Sequence, residues 1–136
     1  MACCNTNMTN NTTSTRAYLF DTIARIDQLQ KEATLQTACE GCEGSLVTTF
    51  YNTKPVTFYL SGGATFTVTV PVDGGTTSVF RIEEVRGDSV VLRMLVADAD
   101  TFTCTNYTVI LRMECICALQ CFPPICCDTC TRNCGQ

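Results

Sequence analysis

Phe80-Arg-Ile-Glu-Glu-Val-Arg-Gly-Asp-Ser-Val-Val-Leu-Arg-Met-Leu-Val96 decides the fold. Phe80 and Ile82 open one alternating run, and Val90, Leu92, Met94 and Val96 share a face of a second. Side chains two apart in an extended chain point the same way, so each run is a strand with one buried face. Between them Arg86-Gly87-Asp88 reads as a hairpin turn, because Gly-Asp tolerates the positive backbone angles that tight hairpins require. The pair is therefore antiparallel.

The same pattern extends outward in both directions. Upstream, Val56, Phe58 and Leu60 alternate with Thr57 and Tyr59 before a Ser61-Gly62-Gly63 turn. Phe66, Val68 and Val70 then alternate with Thr65, Thr67 and Thr69 until Pro71–Gly75 breaks the run. An earlier strand is expected at Leu46–Tyr51, ended by Asn52-Thr53-Lys54-Pro55. Downstream, Ala97–Thr101 reads as a loop. Phe102–Cys121 holds the last strand or pair of strands, with Tyr107, Val109, Leu111 and Met113 aligned. Short strands separated by turns, with no βαβ unit and no internal repeat, predict a mainly β fold: an antiparallel β-sandwich or jelly-roll-like domain.

One helix is expected, over residues 15–35. Leu19, Ile23, Ile26, Gln30 and Ala33 fall at steps of three and four and form one stripe, with Ser14 or Thr15 as its cap. The stripe reads as a packing face. The chain then divides into a polar, Asn/Thr-rich flexible arm (residues 1–14), a single domain (15–122) and a cysteine-rich tail (123–136). Extended, the arm could reach about 40 Å, at about 3.3 Å per residue.

At 136 residues, 46% hydrophobic and with a mean hydropathy of +0.14, the chain can bury a core and is not generally disordered. The net charge of −4, without a basic cluster, argues against a nucleic-acid partner. There is no histidine, which removes the commonest general base and the commonest metal ligand together. No phosphate-cradling glycine loop, nucleophile triad or paired-carboxylate site is present, and Glu83-Glu84 reads as an exposed strand edge. A non-enzyme without a cofactor is expected.

The twelve cysteines carry the remaining signal. They reach the density of a disulfide scaffold. Yet Met1-Ala2-Cys3-Cys4-Asn5 lacks the basic start and apolar run of a secretory leader, and no stretch is long enough to span a membrane. Thiols made in a reducing compartment ordinarily stay reduced. Metal binding, buried free thiols, or oxidation after leaving that compartment would each reconcile these facts. The tail is densest. Cys115, Cys117 and Cys121 would share a face in an extended strand that Pro123-Pro124 ends, and Cys126, Cys127, Cys130 and Cys134 follow. Adjacent cysteines such as Cys126 and Cys127 have Cα atoms about 3.8 Å apart, closer than an unstrained disulfide spans, so they should take different partners.

Other motifs are weaker. Cys39-x-x-Cys42 follows a helix instead of opening one, which does not suit thiol–disulfide catalysis. Cys39, Cys42, Cys127 and Cys130 could form a four-cysteine zinc site, although the separation between the two pairs is unusually long. Arg86-Gly87-Asp88 is explained by its turn. Asn7-Met8-Thr9 and Asn106-Tyr107-Thr108 match the glycosylation pattern, which carries no weight without a secretory route.

Taken together, several segments resemble the CotY/CotZ/ExsY family of bacterial spore outer-layer proteins. Cys115-Ile-Cys117-Ala-Leu-Gln-Cys121 is similar to that family's near-terminal Cys-aromatic-Cys-Ala-Ile-Gln-Cys stretch. Phe80–Glu83, Val91–Arg93, Asn52–Pro55 and Cys39–Cys42 also resemble family segments, and the likeness covers most of residues 16–122. The resemblance implies a structural protein that assembles with itself, often through hexameric units, into an ordered lattice at the spore surface (outer coat, crust or exosporium), alongside other spore-surface proteins. It also implies synthesis in the mother-cell cytoplasm without a signal peptide, with oxidation after lysis. Every cysteine is then a crosslink candidate: Cys3, Cys4, Cys39, Cys42, Cys104, Cys115, Cys117, Cys121, Cys126, Cys127, Cys130 and Cys134. Those near the ends are expected to join subunits, and those near the last strand to pair locally or stay buried. The rival readings are a zinc-stabilised cysteine-rich adaptor and the subunit of a spore-surface fibre.

Overall fold

The computed structural model describes residues 10–37, 51–72 and 74–127. The strand expected at Leu46–Tyr51 lies outside these residues apart from Tyr51. Cys3, Cys4, Cys39, Cys42, Cys130 and Cys134 lie outside them too.

The chain is mainly β and antiparallel, with one helix near the N-terminus. Helix α1 (Asn10–Thr37) precedes strands β1 (Val56–Tyr59), β2 (Val68–Thr69), β3 (Thr76–Thr77), β4 (Val79–Arg86), β5 (Ser89–Asp98), β6 (Thr101–Arg112) and β7 (Ala118–Cys121). Five strands form one sheet in the order β6-β5-β4-β1-β7, and β2 with β3 forms a separate two-stranded ribbon. Every pairing is antiparallel.

Alternation sets the two faces of the sheet. Val56, Phe58, Phe80, Ile82, Val90, Leu92, Met94 and Leu111 are buried in one cluster with Ile23 and Ile26 of α1 and Val70 beside the ribbon. Phe66 lies against Phe80 with ring centroids 5.3 Å apart. The helix and the ribbon thus form the layer that covers the sheet's apolar face, a sandwich-like arrangement. Gln30 anchors the helix. Its Nε2 donates to Ile82 O at 2.6 Å, and its Oε1 accepts from Lys54 N at 2.9 Å.

The expected stripe is the packed one: Ile23, Ile26 and Gln30 are buried, and Leu19 and Ala33 half-buried. The helix begins at Asn10, five residues earlier than the expected start at residue 15 and inside the stretch read as an arm. Residues 10–14 are polar and carry no apolar period, so nothing in their pattern marks a helix. Nor do they hold glycine or proline, and a helix already nucleated propagates through them.

The expected loop at Ala97–Thr101 is tighter than its composition implied. Strands β5 and β6 run on to Asp98 and Thr101, and only Ala99 (φ 54°) and Asp100 turn between them. Cys115 and Cys117 do not share a strand with Cys121, as the alternation had predicted. The twelve-residue β6 ends at Arg112, and Met113–Cys115 form a 3-10 turn in which Ile116 N–H donates to Met113 O at 3.0 Å. The reason is topological. From the edge beside β5 the chain must cross three strands to reach the far side of β1, so it cannot stay extended.

Two irregularities interrupt the ladders. Register shifts between Ile82 and Glu84 on β4, and between Arg93 and Leu95 on β5 where it meets β6. At the second, Thr105 Oγ1 donates to Met94 O at 2.8 Å and Tyr107 N–H donates to Thr105 Oγ1 at 3.2 Å.

Removing packing from the helix stripe tests this arrangement. Ile23→Ala should destabilise the fold by about 3 kcal/mol, the usual scale for emptying a fully buried aliphatic site. Leu29→Ala, at a position 45% exposed, should stay within about 0.5 kcal/mol. Denaturant titrations of both variants read the difference, and equal losses would show that the helix does not pack by this face.

Candidate functional site

The sheet's second face carries Arg81, Glu83 and Arg93 beside Val79 and the buried Leu95, and a strap, residues 122–127, crosses it. Arg81 is 6% exposed and sits opposite Arg93 on the neighbouring strand. Like charges in register repel, and Glu83 holds them together. Its Oε2 accepts from Arg81 Nη1 at 2.5 Å and its Oε1 from Arg93 Nη2 at 3.0 Å. Two residues apart on an extended strand, Arg81 and Glu83 share a face, and the register then shifts so that Glu84 pairs with Val91. Glu83-Glu84 is therefore not an exposed edge, as its composition had implied. Strand β4 lies at the centre of the sheet, and Glu83 is committed to two guanidinium groups.

Arg81 also reaches the segment before β1. Its Nε donates to Thr53 Oγ1 at 2.8 Å and its Nη2 to Asn52 O at 3.3 Å. Those two residues in turn hold the strap. Ile125 N–H donates to Thr53 O at 2.9 Å, and Ile125 O accepts from Asn52 N and Thr53 N at 3.2 and 3.1 Å. The Asn52 side chain, 2% exposed, brackets Cys127. Its Nδ2 donates to Cys127 O at 2.7 Å, and its Oδ1 accepts from Cys127 N–H at 2.8 Å. At the strap's start Phe122 N–H donates to Pro55 O at 2.9 Å, and the Phe122 ring meets Phe102 of β6 edge-on at 5.6 Å.

This clamp places Cys127, 1% exposed, against β6, where it is disulfide-bonded to Cys104 with a Cα–Cα separation of 5.6 Å. A hollow of about 390 Å³ beside the bond is bounded by Arg93, Thr103, Cys104, Asn106, Cys126 and Cys127. Cys115, Cys117 and Cys126 are disulfide-bonded as well. Adjacent Cys126 and Cys127 thus take different partners, as their spacing required. The free cysteine among the described residues is Cys121, which is exposed at the end of β7.

The roles of these cysteines cross the expected division. Cys127, read as a tail linker, is buried and bonded within the chain, whereas Cys121, read as local or buried, presents its thiol to solvent. Burial of Cys127 follows from Asn52, whose clamp nothing in the local pattern announces. Exposure of Cys121 follows from its place on a strand that has no further neighbour among the described residues. Of the four cysteines considered for zinc, Cys39, Cys42 and Cys130 lie outside the described residues. Cys127 is held in its disulfide and offers no thiolate. Among the described residues no group of three or more cysteine or carboxylate side chains is placed to hold a metal, and no helix is long and apolar enough to cross a membrane.

No family model, curated protein or solved structure matches the chain.

Two substitutions probe the site. Cys104→Ser opens a loop of 23 residues and should lower stability by about 3 kcal/mol relative to the oxidised parent, read as a shift in denaturant midpoint. Glu83→Gln leaves Arg81 and Arg93 facing each other without a counter-charge and should cost about 2 kcal/mol. Arg93→Gln, which keeps the Arg81–Glu83 pair, should cost clearly less. The reverse order would show that Glu83 does not hold the two arginines together.

Proposed function

We propose that the protein is a non-enzymatic structural subunit of a bacterial spore surface, assembling with copies of itself into an ordered lattice that disulfides then lock. The observation that carries this reading is the state of the Cys115–Cys121 stretch. Its first two cysteines are disulfide-bonded, and its last, Cys121, stands free and exposed on a strand at the border of the five-stranded sheet. A thiol kept out of the intrachain set, at a border where another copy can approach, suits a link between subunits. The resemblance of this stretch to the spore outer-layer family supports the location, the hexameric units and the company of other spore-surface proteins. Synthesis in the mother-cell cytoplasm followed by oxidation on its lysis gives the route by which the cysteines become bonded.

Assembly should precede oxidation. Apolar contact contributes about 25 cal/mol per Å², so an interface burying about 1,600 Å² holds copies together without covalent help. Purified protein kept in reductant should therefore form oligomers visible by electron microscopy and light scattering. After oxidation these should resist denaturant. Cys121→Ser should still assemble, and a larger fraction should run as monomer on a non-reducing gel. A strictly monomeric protein in reductant at high concentration would overturn the proposal. An unchanged covalent polymer in Cys121→Ser would remove Cys121 from the linkage.

A further inference from the structure

Two adjacent cysteines of the strap stand beside Cys104: Cys127 bonds to it, and Cys126 is disulfide-bonded elsewhere. Both Cys126 and Cys127 border the hollow beside Cys104, so proximity does not decide between them. Register does. In the β1–β7 ladder Val56 faces Cys121, Thr57 faces Gln120, Phe58 faces Leu119 and Tyr59 faces Ala118. Continued in step past Val56, Thr53 would face Pro124. It faces Ile125 instead. One extra residue has entered the strap between Cys121 and Ile125.

We propose that Pro124 forces this one-residue slip and thereby assigns Cys127, not Cys126, to Cys104. The reason is the missing donor. Thr53 O accepts a hydrogen bond from the strap residue opposite it, here Ile125 N–H at 2.9 Å. Proline has no N–H, so the unslipped register would leave that carbonyl unpaired beside a buried side chain. Moving the strap by one residue puts Ile125 in the donor's place. It also turns each later side chain to the opposite face, which is the general consequence of a one-residue slip. In the unslipped register Asn52 would bracket the backbone of Cys126, and Cys126 would point at Cys104. In the observed one it brackets Cys127. On the strap Asn52 bonds only to backbone groups, so it positions whichever residue the register delivers, and Pro124 sets which one that is.

The bond itself forms by ordinary exchange with a small-molecule disulfide such as oxidised glutathione. The Cys127 thiolate attacks one sulfur of the oxidant, releasing one equivalent of small thiol and leaving a mixed disulfide. The Cys104 thiolate then displaces the second equivalent. Two protein thiols are oxidised and one oxidant molecule is reduced to two thiols. Pro124 alters no step of this chemistry. It determines which sulfur stands within reach.

The test is a disulfide map of reduced protein refolded with oxidised glutathione, alkylated, digested and fragmented by electron transfer, which cleaves between Cys126 and Cys127. The parent should give Cys104–Cys127. Pro124→Ala restores an N–H at an exposed position and should raise the ratio of Cys104–Cys126 to Cys104–Cys127 by about tenfold, the effect of one backbone hydrogen bond. A map unchanged by Pro124→Ala overturns the proposal. Cys127→Ser gives a second reading that leaves Pro124 in place: Cys104 should be recovered as an alkylated thiol, and in Cys127→Ser/Pro124→Ala as a bond to Cys126. Efficient Cys104–Cys126 formation in Cys127→Ser alone would equally overturn it.

Discussion

A guanidinium group buried in the middle of a β-sheet organises half of this molecule. Moving such a charge out of water is costly unless its donors are met, and Arg81 meets them by drawing in three partners. Glu83 comes from its own strand, and Thr53 and the carbonyl of Asn52 come from the chain entering β1. Once the backbone at Asn52 is held there, its side chain is aimed at the strap, and the strap is carried across the sheet's second face to β6. The disulfide at Cys104 is the last link in a sequence of requirements that begins with one desolvated arginine.

The two faces of the sheet are stabilised by different physics. One is covered by helix and ribbon through apolar contact, which tolerates exchange of one hydrophobic residue for another of similar size. The other depends on directional bonds among Arg81, Glu83, Arg93, Thr53, Asn52 and Cys127, where each group's geometry depends on the next.

What the amino-acid order made legible was local. Alternation identified β1, β4, β5 and β6, the turn at Gly87 located the β4–β5 hairpin, and the Leu19–Ala33 stripe identified the helix face. Adjacent Cys126 and Cys127 announced separate partners. Contacts set by register and strand order were hidden. Nothing in the period-two pattern tells that β7 crosses to β1, that Glu83 meets both Arg81 and Arg93, or that Asn52 clamps Cys127. Each depends on residues tens of positions apart meeting in one arrangement, and a local pattern records only which side chains share a face.

Strand β6 is twelve residues long and borders the sheet, and its exposed residues are Thr101, Thr103, Asn106, Thr108, Ile110 and Arg112, the last its single charge. Left straight, such an edge is a template on which extended chains stack without limit, the route to amyloid. The irregularity around Thr105–Tyr107 breaks it into two shorter stretches and spends local donors internally. The interruption shortens the unbroken run of regular backbone that this border can offer to another extended chain.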